Sequence, residues 1–191
     1  MAVPELPTLT DAIFGLLCGR NPDHSFLAGG EQFPLCQRCA GIYAGAAAAA
    51  LLDLVFRPRR GRLSVAIESL FILQIAPMGL GLIAGGPFLR TLSGWLFGLG
   101  LAGVLRAAAA PAGAAEAGRS PWRTAGWFAC AVPGALLFWT LAAKGQVDFA
   151  LLASWDLLGI AALLTLAVIG LSRRGSLPGN PWTAGPGPVA R

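Results

Sequence analysis

The sequence predicts an all-α, polytopic integral membrane bundle of about five transmembrane helices, preceded by a short cysteine-containing amino-terminal region. Composition is the first reason: of 191 residues, 55% are hydrophobic and only 12% charged, where soluble domains carry about 25% charged residues. The mean hydropathy of +0.67 is the second. The third is that the apolar residues gather into runs approaching the roughly 20 residues a helix needs to span a bilayer. Gly and Ala crowd those runs, as expected where helices approach closely in lipid.

The amino-terminal region, residues 1–40, opens with a stretch that includes the short apolar run Ala12–Leu17. A helix over Leu9–Leu17, capped by Thr8 or Thr10, is expected to lie on the membrane surface rather than cross it. The start lacks a basic n-region, and no small-residue cleavage site follows Ala12–Leu17, so the amino terminus is expected to be retained. Five apolar segments make up the membrane domain, residues 41–171: Gly41–Phe56, Leu63–Ala84, Leu89–Leu105, Trp122–Ala143 and Phe149–Leu171. The first is largely alanine, begins near Cys39 and needs support from neighbouring helices. The remainder, residues 172–191, is rich in Pro and Gly and reads as a disordered cytoplasmic tail.

Orientation follows from the basic residues. If all five segments span, Arg57, Arg59, Arg60, Arg62, Arg106, Arg119, Arg123, Arg173, Arg174 and Arg191 share one side. The other side keeps Arg20, Arg38, Arg90 and Lys144 with Glu5, Asp11, Asp23, Glu31 and Asp148. The positive-inside rule then places the loops after the first and third segments, and the carboxyl terminus, in the cytoplasm. The cysteine-bearing amino terminus faces outward. The net charge of +5 is spread in short clusters between apolar runs, which is loop patterning and not a nucleic-acid footprint. The partners expected are the lipid bilayer and a membrane-protein partner or a second copy of the chain.

Small-xxx-small spacings at Gly41/Gly45, Gly81/Gly85 and Gly94/Gly98 mark expected helix-packing faces. Three carboxylates fall inside expected spans: Asp53, Glu68 and Asp156. Asp53 and Glu68 lie near the Arg57–Arg62 cluster and are expected to pair there as interfacial anchors. Asp156 lies about 10 Å into the last span at about 1.5 Å per residue, where a carboxylate costs about 2.5–3.5 kcal/mol. Arg90, on the same outer side, is its expected partner in an intramembrane polar pair. Trp95, Trp122, Trp127, Trp139 and Trp155 mostly fall near expected interfaces, and Cys130 in the fourth span reads as a small apolar residue.

The chemistry concentrates at Cys18, His24, Cys36 and Cys39, which hold three of the four cysteines and the only histidine. Cys36-x2-Cys39 brings two thiolates within reach of one tetrahedral ion, and Cys18 and His24 complete a Cys3His set for zinc or a similar transition metal. Closing that loop would order the amino-terminal region, because binding energy there is also folding energy. A structural or redox disulfide is the second reading, permitted by an outward-facing position. Inert loop residues are the third. Covalent haem attachment fails, since Ala40 stands where it requires His.

The same stretch resembles the small predicted membrane proteins grouped as domain of unknown function 2085. Their signature reads approximately C-H-Q-x-x-x-R-S-F and then P-x-C-x-R-C-x-G-I-Y-x-G. Cys18 and Ser25-Phe26 match the first part. Pro34, Cys36, Arg38, Cys39, Gly41, Ile42, Tyr43 and Gly45 match the second. Pro77 and Arg90-Thr91-Leu92-Ser93-Gly94 resemble a later element, so the likeness covers about residues 14–105. Gly19 stands where the family has His, and His24 where it has Arg. Met78-Gly79-Leu80-Gly81 replaces the family's Asp-Gly, so no role of that Asp carries over. The resemblance implies the site and the topology but no activity.

The functional expectation is a non-catalytic membrane protein with an outward-facing metal site for metal handling or assembly. The alternative is a membrane thiol–disulfide oxidoreductase using Cys36 and Cys39 with Cys18 as exchange partner. Paired repeats that would argue for a transporter are missing. No histidine base beyond His24 and no phosphate-cradling glycine motif supports a hydrolase or kinase.

Overall fold

In the computed structural model, which describes residues 12–18, 22–28, 30–58, 61–80, 82–83, 85–110, 121–145 and 147–175, the chain enters through a helical turn over residues 12–15 (α1). A 3-10 turn, Pro22–His24, leads into a hairpin of β1 (Ser25–Ala28) and β2 (Glu31–Cys36). The strands are antiparallel, with Ser25 opposite Cys36 and Ala28 opposite Glu31. Gly30 turns the hairpin at φ 89°, a left-handed conformation that costs glycine little. This hairpin was not foreseen; four and six residues are too few for the alternation to stand out.

β2 runs directly into α2 (Gln37–Phe56). Next come α3 (Arg62–Leu73), α4 (Ile75–Gly79), α5 (Pro87–Ala109), α6 (Pro121–Ala143) and α7 (Phe149–Gly175). Among the described residues, four helices are long and apolar enough to cross a membrane: α2, α5, and the stretches Trp122–Ala143 and Phe149–Arg173. The expected span Leu63–Ala84 is not one continuous helix. It is divided at Gln74 into α3 and α4, because Pro77 has no N–H to donate to the Leu73 carbonyl. The Gln74 amide compensates locally, donating to the carbonyls of Phe71 at 3.0 Å and Ser93 at 2.8 Å. The first residues of the stretch expected to be a disordered tail are helical instead, since α7 runs to Gly175. Residues 176–191 and the expected Thr8 or Thr10 cap lie outside the described residues.

Glycine sets the central packing. A Cβ on Gly41 or Gly45 of α2 would overlap the carbonyls of Thr91 or Trp95, and one on Gly94 or Gly98 of α5 would overlap those of Arg38 or Ile42. Two of the small-xxx-small spacings are thus the two faces of a single helix contact, whose backbones run parallel. Gly81 lies outside the described residues, and Gly85 packs on Met78 instead of a helix backbone.

Neighbouring contacts define both ends of the bundle. Trp95 Nε1–H donates to the Ala131 carbonyl at 3.0 Å, and Trp155 Nε1–H to that of Ala44 at 3.2 Å. Trp95 and Trp127 are therefore core residues, at 3% and 1% exposure, and not members of an interfacial belt. At one end Phe56 packs against Gly126, Arg173 donates to the Ala109 carbonyl, and Arg106 pairs with Asp53 at 2.7 Å. Asp53 thus has a partner on α5, 53 positions along the chain; Arg59 and Arg60 of the cluster expected to pair with it lie outside the described residues. Glu68 is also buried, against Gly103 of α5. At the other end lie the hairpin and the start of α7, where Phe33 packs on Phe149 with ring centroids 5.5 Å apart.

Candidate metal centre

Cys18 follows the turn of α1, where its N–H donates to the Phe14 carbonyl at 3.0 Å. Phe14 is fully buried and anchors this segment on Phe33, with centroids 5.9 Å apart. Cys36 ends β2 and occupies the N-cap position of α2 in an extended conformation, φ −68° and ψ 156°. Cys39 lies one helical turn further on. The hairpin thus folds Cys18 back over the start of α2, and the Cys36 N–H donates to Cys18 Sγ at 3.4 Å.

The sulfurs of Cys18, Cys36 and Cys39 all lie within 4.8 Å of one another. All are free thiols. With metal–sulfur bonds of about 2.3 Å, sulfurs of a tetrahedral site stand about 3.8 Å apart, so a small rotation of the side chains closes them on one ion. His24 is not among these converging ligand atoms. It is half-buried in the 3-10 turn at the foot of β1, directly before Ser25, the residue opposite Cys36.

Electrostatics favour a thiolate at Cys36, whose thiol is held down to about 5. The adjacent Cys39 thiol is the main cause; the Cys39 and Arg38 backbone and the Cys18 thiol add to it, and burial opposes it. A helix N-terminus carries partial positive charge, which acts in the same direction. An apolar shell of Phe26, Leu35, Ala142 and Leu152 surrounds the cluster, excluding water from one side. Tyr43, one turn beyond Cys39, interacts electrostatically with all three cysteines and with Asp156. The sequence carried a signal for this in the position of Tyr43 seven residues after Cys36, on the same helix face.

Asp156 is fully buried, and neither of its oxygens has a hydrogen-bond partner among the described residues. Arg90 therefore does not pair with it in this structure. Cys130 lies on the outside of α6 and lines an apolar cleft of about 420 Å³ with Trp95, Phe138 and Trp155; it takes no part in the thiol group.

The stretch that holds the three thiols is also the one that finds relatives. Residues 18–104 match the family of predicted membrane proteins called DUF2085. The match takes in Cys18, Cys36, Cys39, helix α2 and most of its partner α5. An uncharacterized protein of Methanothermobacter thermautotrophicus is 48% identical over 33 residues, which is 17% of this chain and 30% of that protein. The aligned part therefore spans less than a third of that relative. No solved structure matches the chain.

Proposed function

We propose that this protein is a multi-pass membrane protein whose amino-terminal region binds a thiophilic transition metal, zinc or a similar ion, through Cys18, Cys36 and Cys39. The convergence of three free sulfurs within 4.8 Å carries this reading. Thiolates select soft or borderline ions, and three protein ligands leave a fourth position for an incoming ligand. That open position suits transfer of the ion to or from a membrane partner or a second copy of the chain. His24, offered by the sequence as a fourth ligand, precedes Ser25 opposite Cys36 but is not one of the converging groups.

The side of the membrane is part of the same reading. Arg106, Arg123 and Arg173 belong to the end remote from the thiols, and the positive-inside rule assigns that end to the cytoplasm. The metal site then faces outward. This topology takes α3 and α4 together as a fifth, kinked crossing. Elemental analysis of protein purified without added metal or chelator tests the function: about one ion per chain is expected, lost in Cys36→Ser and in Cys39→Ser. Metal-free protein with Cys36 and Cys39 joined would refute it.

One observation supports a second reading, a thiol–disulfide oxidoreductase: Cys36 is poised as a thiolate at a helix N-terminus with Cys39 one turn away. The Cys36 thiolate would attack a substrate disulfide, releasing one substrate thiolate and forming a mixed disulfide. Cys39 would then displace the second, leaving the substrate reduced and Cys36–Cys39 oxidised. The count of free thiols separates the two readings.

A further inference from the structure

Asp156 lies in a part of the bundle that neither reading of the thiols uses. It sits on α7 next to Gly159, which packs directly on the Tyr43 backbone of α2. Its side chain is wholly buried, and among the described residues both carboxyl oxygens lack a hydrogen-bond partner and no cation pairs with them. Arg106, on the neighbouring α5, is paired with Asp53, and Arg90 forms no hydrogen bond to Asp156. An isolated ionised carboxylate in an apolar interior is so costly that such a group takes up a proton instead.

The surroundings give that proton a route. Cys36, Cys39 and Tyr43 recur at i, i+3 and i+7, within about 60° of one another around α2. They form one polar seam running from the hairpin end into the bundle. Tyr43 is half-buried in that seam, within electrostatic reach of both the thiols and Asp156.

We propose that Asp156 is a proton-binding site, a carboxyl held in its acid form inside the bundle, whose proton exchanges with water at the thiol-bearing end by way of the Tyr43 hydroxyl. The ligand is the proton alone. Tyr43 passes it by accepting one proton and releasing its own, so the ring ends each exchange neutral. The site stands independently of metal binding.

Infrared spectroscopy of the full-length protein in detergent or lipid tests this. The wild-type minus Asp156→Asn difference spectrum at neutral pH should contain the C=O stretch of a carboxylic acid, and that band should shift in D2O. Labelling the aspartates with ¹³C-carboxyl in unaltered protein should move the same band, which keeps the test valid if Asp156→Asn folds poorly. The band should persist in Cys36→Ser, separating this result from failure of the metal reading. Tyr43→Phe should keep the band but slow its D2O shift. Finding only carboxylate bands, or an acid band that never exchanges, would overturn the proton site. Unaltered exchange in Tyr43→Phe would overturn the route.

Discussion

Arg106 of α5 reaches across to Asp53 of α2 and closes an ion pair of 2.7 Å around a carboxylate with no side-chain exposure. The pair ties together the ends of two helices whose middles are joined by glycine contacts. Removing Arg106 takes a cation away from a fully buried carboxylate, and breaking a buried pair in this way costs about 3–5 kcal/mol. Arg106→Gln and Asp53→Asn should each lower thermal stability in detergent, and the double variant should lose less than their sum. Strict additivity in a double-mutant cycle would show that the two do not interact.

The α2–α5 contact makes a sharper packing prediction. A Cβ on Gly98 overlaps the Ile42 carbonyl, whereas one on Gly170 of α7 meets nothing within 4 Å. Gly98→Ala should destabilise by about 1–3 kcal/mol through overpacking. Gly170→Ala should be neutral or slightly stabilising. Melting curves of the two variants side by side check both.

Individual ligands should be unequal. Cys18→Ser should lose bound metal, as Cys36→Ser and Cys39→Ser should, because all three sulfurs converge. His24→Ala should retain it, since the imidazole lies outside the group. Cys130→Ser should be silent in metal content. Loss of metal from His24→Ala would mean that the 3-10 turn rearranges around the ion.

Acid should expose the state of Cys36. Its thiol is held at about 5 in the folded chain, against about 8.5 for an unperturbed cysteine. A lowered value means that the thiolate favours folding above the unperturbed value, and that this contribution disappears as pH falls through about 5. In metal-free, reduced protein, alkylation of Cys36 should persist until pH nears 5. In denatured protein it should weaken already below about 8.5. Identical profiles, read by mass spectrometry, would remove the local stabilisation.

Sidedness has its own measurement. A reporter fused after Arg62 should be active only in the cytoplasm, and an impermeant maleimide should reach metal-free thiols in intact cells. A reporter active only outside would invert the topology.

Much of this molecule is already written in its sequence. Composition and run length determine a helical membrane bundle, because burying apolar side chains in lipid leaves helices as the way to satisfy backbone groups locally. The spacing of Cys36 and Cys39, and of Gly41/Gly45 and Gly94/Gly98, marked a thiol pair and two packing faces for the same reason, since helical periodicity is local. Partners distant in the chain were not legible. That Gly94 meets Arg38, that Asp53 takes Arg106, and that Cys18 but not His24 joins the thiols all depend on how helices and hairpin stack. Pro77 was visible, yet its effect on the second segment depended on whether neighbouring groups would support a break, and Gln74 and Ser93 supply that support. Only the tertiary structure decided that Asp156 has no hydrogen-bond partner among the described residues, because a carboxyl's partner is set by which side chains reach it in space, and Arg90 does not.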